Sequence, residues 1–326
     1  MTGRRPWLIP ALVALVLVLM VISIMVGRVM LGWDAWTSHD VVTRAIFFEL
    51  RVPRALLGAL IGVALGLSGA AMQGYLRNPL ADPGVLGVSA LSALGAVMSI
   101  FFGIAGLHPW AMPIAGVLGG LVGMAALFLL AGATASVLTL VLAGVILNAL
   151  GSAGTSLALS ISPNPWAAGE MLRWLMGALT DRSFDELIFA TPLILIGAVA
   201  ILFCGRALDA LTLGEQGARS LGINLDRMQW VLASGVGLAV GASVAVTGVI
   251  GFVGLVVPHL MRPLVGSSPR ALLVPSALGG AALVLAGDIV VRLLPGGSEV
   301  QLGVAMSLIG APFFLFLMHS LRRKLT

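Results

Sequence analysis

"RVPRALLGALIGVALGLSGAAMQGYLRNPLADPGVLG", Arg51 to Gly87, contains in one stretch the pattern that organises the whole chain. Its centre, from Ala55 to Gly74, is a run of twenty residues without a charge. About 20 apolar residues are what an α-helix needs to cross a hydrocarbon core. Within the run Gly58, Gly62 and Gly66 recur at every fourth position, so they share one helix face. Small residues along a face let a neighbouring helix approach closely. The run then meets Arg77, and Asn78-Pro79 and Asp82-Pro83 follow. A residue before proline is pushed out of the helical region, so this end reads as a rigid turn at the water boundary.

The same pattern repeats outward in both directions. The chain has 326 residues, is 59% hydrophobic and only 10% charged, with a mean hydropathy of +1.10. A soluble domain carries about 25% charged residues. Apolar segments fall near 7–27, 55–74, 85–106, 111–131, 137–160, 187–205, 229–248, 249–265, 271–291 and 303–321. Ten spans follow, and the long run 229–265 is divided at the glycine turn "TGVIG", Thr247 to Gly251. The run Trp7 to Val26 is longer than a secretory apolar region and reads as the first span. No long polar stretch could form a separate soluble domain, so residues 1–326 are expected to be one all-α membrane domain. With the N-terminus inside, eleven basic residues are cytoplasmic and seven are outside. Lys and Arg favour cytoplasmic loops, which puts both termini in the cytoplasm.

Several chemistries find no support. The single lysine is Lys324, so no GxxxxGK[ST] phosphate-binding loop exists and the chain is not expected to hydrolyse ATP. His39, His108, His259 and His319 are scattered, and Cys204 is the only cysteine; no metal site is assigned. The net charge of +5 is small and indicates no nucleic-acid partner. "GLSG", Gly66 to Gly69, resembles the GxSG of rhomboid intramembrane serine proteases, with His259 as the conceivable base of Ser68. A nucleophilic serine needs a base within hydrogen-bond reach. Against this, four small residues in a glycine-rich helix match easily by chance. A self-sufficient channel or secondary transporter is a further alternative. Carriers of that kind usually hold ionisable groups at mid-membrane, and these spans are nearly free of them.

Polar residues stand out against this background in three places. Asn148, Ser152, Thr155 and Ser156 lie in the fifth span and face a neighbour or a watery path rather than lipid. Arg51 and Arg54 share a helix face at the start of the second span, and Arg292 ends the ninth on the same side. Pairing with Glu49 or Asp288 is one use for them. "GEQGARSLGINLDR", Gly214 to Arg227, is a polar segment between the sixth and seventh spans, with Gly222 placed to stop a short helix.

Four segments together resemble the FecCD-type permeases, the membrane subunits of ABC importers for iron-siderophores, haem and cobalamin. They are Arg51 to Gly87, "LAGVILNAL" (Leu142–Leu150), "LDALTLGEQGARSLGIN" (Leu208–Asn224), and "GFVGLVVPHLMR" running on through "VPSALGGAALVLAGDIVVRLLP" to "LGVAMSLIGAPFFLFL". The resemblance runs in order from about Arg51 to the C-terminus. It implies a type II ABC importer permease fold of about ten transmembrane helices in a bacterial inner membrane. It also implies a homodimer with the path between the copies, two cytoplasmic ATPase subunits and an outer substrate-binding protein. ATP and Mg would then be bound by the ATPase, with no cofactor in this chain. The segment at about 207–228 would supply coupling helices, with Gly214, Glu215, Ala218, Arg219, Leu221 and Gly222 seated against the ATPase. Leu213, Ala218 and Leu221 are expected to give its apolar contacts. Arg51, Arg54 and Arg292 would receive acidic residues of the binding protein. Asn78 and Leu80 would narrow the inner mouth, with Ser136 in a second gate, and Asn148 and Ser152 would line the path. A purely structural turn is the other reading of "RNPLADP".

Overall fold

The computed structural model describes residues 6–27, 30, 32, 36–131, 137–294 and 300–325. Among them every regular element is helical. The helices are α1 Leu8–Met25, α2 Val41–Ala45, α3 Val52–Tyr75, α4 Val88–Phe101, α5 Ala111–Ala131, α6 Val137–Ser160 and α7 Pro165–Leu175. They continue as α8 Phe184–Phe203, α9 Gly205–Leu211, α10 Gly214–Ser220, α11 Leu225–Thr247, α12 Val253–Val265, α13 Pro269–Leu293 and α14 Leu302–Leu325. A π-helical turn, Ile46–Arg51, joins α2 to α3.

Helices fall on all ten predicted apolar segments, but not all are full spans. Among the described residues six are long and apolar enough to cross a membrane: Leu8–Met25, Val41–Tyr75, Leu138–Ser160, Phe184–Phe203, Leu225–Thr247 and Pro269–Leu293. Four shorter apolar helices complete the set: Val88–Phe101, Ala111–Leu127, Val253–Val265 and Leu302–Phe316. The segment expected as a span at 249–265 becomes a loop and then α12, which has 13 residues. At 1.5 Å per residue such a helix is about 20 Å long, well short of the ~30 Å hydrocarbon core. The break is made by Gly248 and Phe252, both with positive φ (73° and 67°).

The centre of the molecule is the pair α3–α13, and glycine makes it possible. A Cβ on Gly62 would run into the Gly280 carbonyl, and one on Gly66 into that of Ser276. The sequence's glycine face is thus a backbone-to-backbone contact with no room for any side chain. Next to it α12 carries Pro258, which has no N–H to offer the carbonyl of Gly254 one turn back. Gln73, 2% exposed, fills the gap: its Nε2 donates to the carbonyls of Gly254 and Leu255, both at 3.3 Å. Arg262 Nη2 donates in turn to Gln73 Oε1 at 2.8 Å. Cys204 is buried at the junction of α8 and α9, its thiol directed at the Met228 carbonyl 3.8 Å away.

Candidate functional site

A cleft of about 820 Å³ runs along α6. Asn148, Ser152, Thr155, Ser156 and Leu159 recur at helical spacing and form one wall. Facing them are the N-terminal part of α4, the loop at 249–252 before α12, and Phe314 of α14. Leu80 and Asp82 of the "RNPLADP" turn also line the cleft. Two predicted path residues and one predicted gate residue, Asn148, Ser152 and Leu80, therefore line one space. No lysine or arginine is among its lining residues in the described part of the chain. Among the described residues Asp82 is the one ionisable group there, and burial pushes its carboxyl above the ordinary range.

Asn78 is used differently from Leu80. Its Oδ1 accepts from Leu80 N–H at 2.9 Å, its carbonyl accepts from Ala81 N–H at 3.1 Å, and its own N–H reaches the Gln73 carbonyl at 3.1 Å. It builds the turn that presents Leu80, and it is not itself among the residues lining the cleft. Asp82 Oδ1 closes the next turn by accepting from Gly84 N–H at 2.8 Å. Ser136 lies outside the described residues. Phe252 and Phe314 went unnoticed in sequence. Phe252 reaches the cleft through a left-handed backbone that its residue type does not announce.

From sequence, Arg51, Arg54 and Arg292 are expected as cations open to an acidic partner. The structure turns them inward. Arg51 is 8% exposed and donates from Nη1 to the carbonyls of Ile24 and Met25 at 3.0 and 2.8 Å. Arg292 is 7% exposed and donates to the Ser23 and Val26 carbonyls at 2.7 and 2.9 Å, and to Ser23 Oγ at 2.6 Å. These are the last carbonyls of α1, which have no partner within their own helix. Arg54 meets Asp288 at 2.8 Å, and Arg292 meets the other oxygen of the same carboxylate at 2.7 Å. The alternative use, pairing with Asp288, is therefore the geometry seen for Arg54 and Arg292. Together the four side chains pin α1, α3 and α13 at one end of the molecule.

The segment between α8 and α11 is two short helices, α9 and α10. Gly222 has φ +78°, and the bonds Ile223 N–H to Ala218 O (3.1 Å) and Gly222 N–H to Arg219 O (2.9 Å) close a Schellman motif. Gly214, with φ +87°, makes the corner before α10. Leu213 and Leu221 project, 69% and 62% exposed. Ala218 does not: it is fully buried, so the partner contact expected of it is replaced by packing within the chain. Glu215 is exposed, and Arg219 forms an open pair with Asp226 at 3.7 Å, of a kind that contributes at most ~1 kcal/mol.

The hydrolase alternative loses its dyad. Ser68 is fully buried and its Oγ has no hydrogen-bond partner, so no base addresses it.

A sequence profile described as the FecCD transport family matches residues 15–320. The vitamin B12 import system permease protein BtuC of Vibrio cholerae is 38% identical over 94% of this chain and 92% of its own length. The hemin transport system permease protein HmuU of Yersinia pestis is 36% identical over 99% of both chains. Among solved structures, a metal-chelate type ABC transporter in an inward-facing conformation superposes with a TM-score of 0.89. Its identity is 34%, over 97% of this chain and 100% of that one.

Proposed function

The chain belongs to the FecCD transport family and is an ABC importer permease, and from that premise we propose that it carries a bulky metal chelate into the cytoplasm. Iron-siderophore, haem and corrinoid are the cargo candidates, with iron chelate or haem foremost. The observation that carries the reading is the cleft. It is large, and its walls are small and apolar residues interrupted by the amide of Asn148 and the hydroxyls of Ser152, Thr155 and Ser156. Such a surface offers a chelate a smooth passage with weak hydrogen bonds. Among the described residues it offers no cation to hold a small oxyanion.

In this reading two copies face each other across the cleft. Only 28% of the α6 span is buried within one chain, against 78% for α11, an exposure that supports packing of a second copy beside it. Two cytoplasmic ATPase subunits, which bind the ATP and Mg, seat against α9 and α10 with Leu213 and Leu221 as apolar anchors. A substrate-binding protein delivers cargo from outside. The ATPase cycle then moves the two copies between outward and inward openings as rigid bodies. Both termini lie in the cytoplasm of a bacterial inner-membrane protein.

The test is reconstitution in vesicles with the ATPase and binding protein, followed by competition among ferric siderophore, haem and cobalamin. ATP-dependent uptake of one cargo, competed by that cargo alone, is the expected result. Uptake driven by an ion gradient without the ATPase would overturn the reading.

A further inference from the structure

The short helix α9 packs on the chain through Ala207, Leu208, Ala210 and Leu211, and one polar side chain adds a link of unusual placement. Asp209, on α9, accepts at Oδ1 from the backbone N–H of Arg270 at 3.0 Å and from Ser268 Oγ at 2.9 Å. Ser268 is itself the N-cap of α13, accepting from Ala271 N–H at 3.2 Å. Asp209 therefore completes the cap of a 25-residue helix from a separate element 61 residues earlier in the chain. A carboxylate at a helix N-terminus satisfies free N–H groups and is favoured by the helix dipole.

What this cap holds makes it more than local. The helix α13 packs backbone to backbone on α3 at Gly62, Gly66 and Gly280, where no side chain would fit between them. The far end of α13 carries Asp288 and Arg292, which bind Arg54 and the end of α1. The near end of α3 runs into the turn that presents Leu80 and Asp82 to the cleft. A displacement of α9 at Asp209 is thus a displacement of a packed slab that borders the cleft. Supporting contacts point the same way: Gly205 of α9 lies under Arg270, and Gly74 of α3 lies under Pro269.

We propose that Asp209 is a positioning residue of the transport cycle, the link through which motion of the α9–α10 segment reaches the α3–α13 slab and the inner end of the cleft. This rests on the importer reading above. The electrostatic part of the bond is replaceable by an amide oxygen, since both of its donors are neutral.

The experiment uses the full complex of permease, ATPase and binding protein in vesicles, and reads cargo taken up per ATP hydrolysed. Asp209→Ala should lower that ratio roughly threefold to tenfold, the size expected of an internal coupling contact. Asp209→Asn should restore most of it, and Ser268→Ala should lower it less. A static anchor would instead lower uptake and hydrolysis together, in step with loss of assembled complex, and would leave the ratio unmoved. That result, or a normal ratio in Asp209→Ala, overturns the inference. Should Asp209→Ala fail to assemble, the ratio in Asp209→Asn and Ser268→Ala decides: both equal to wild type overturns it, and a drop in Ser268→Ala supports it. A wild-type complex that takes up no cargo with ATP defeats the importer reading itself, and this inference with it.

Discussion

At the scale of single residues, polar groups in this chain are placed by partners distant in sequence. Asp82 is an exception, held by the Gly84 N–H two residues on at 2.8 Å, and it illustrates what burial costs. Its carboxyl titrates above the ordinary aspartate value of 3.8 because burial penalises the charged form, with the Gly84 N–H partly opposing. A raised folded-state pKa means that the folded chain holds the proton more tightly than the unfolded one. The resulting stabilisation is complete below the ordinary value and is lost as pH rises through the raised folded value. Asparagine keeps an acceptor for Gly84 and does not ionise. Asp82→Asn is therefore expected to melt with wild type in acid and above it near neutrality, in thermal unfolding between about pH 4 and pH 8. A constant difference across that range would contradict the assignment. The arginines at the end of α1 carry a related lesson about legibility. Arg51, Arg54 and Arg292 are conspicuous in an oily sequence. The α1 carbonyls that Arg51 and Arg292 bind lie 26 to 269 residues away and no pattern announces them, whereas Asp288 stands four residues before Arg292 and is a legible partner.

At the scale of elements, periodicity carried the reading well where it was strict. The glycine repeat in α3 announced a close helix contact, and α13 supplies it through Gly280 and Ser276. Gly62→Leu should force the two helices apart and destabilise the protein by ~1–3 kcal/mol or more. Gly106→Ala is the matched control, because a Cβ there meets nothing within 4 Å. Thermal melting in detergent compares the two, and equal melting would refute the backbone contact. The turn at Thr247–Gly251 is legible, and what continuous hydropathy hides is how short the helix after it is. The run at 249–265 looks like a span, yet Gly248 and Phe252 turn the backbone before a half-length α12. The helix α7 was missed for the opposite reason. Asn164 caps it by accepting from Ala167 N–H at 2.8 Å, and Pro165 opens it, but its mixed composition hid it beside longer apolar runs.

At the scale of the whole molecule, the cleft is the feature that no single segment contains. Its lining comes from the turn after α3, from α4, α6 and α7, from the loop before α12, and from α12 and α14. The polar face of α6 was visible as a helical repeat, whereas the opposite wall depends on tertiary packing. Ser152 is exposed on that α6 face, so enlarging it should not disturb the core. Ser152→Trp is expected to remove most cargo uptake while the associated ATPase keeps hydrolysing ATP. Full uptake in this variant would take the passage elsewhere. The solitary cysteine gives such experiments a practical footing. Cys204 is 4% exposed, so a maleimide dye offered to the folded chain finds no native target. A single cysteine introduced at Leu221 could then be labelled by itself, and a fluorescence record from that one position would follow α10 through each turnover without first stripping the protein of its own thiol.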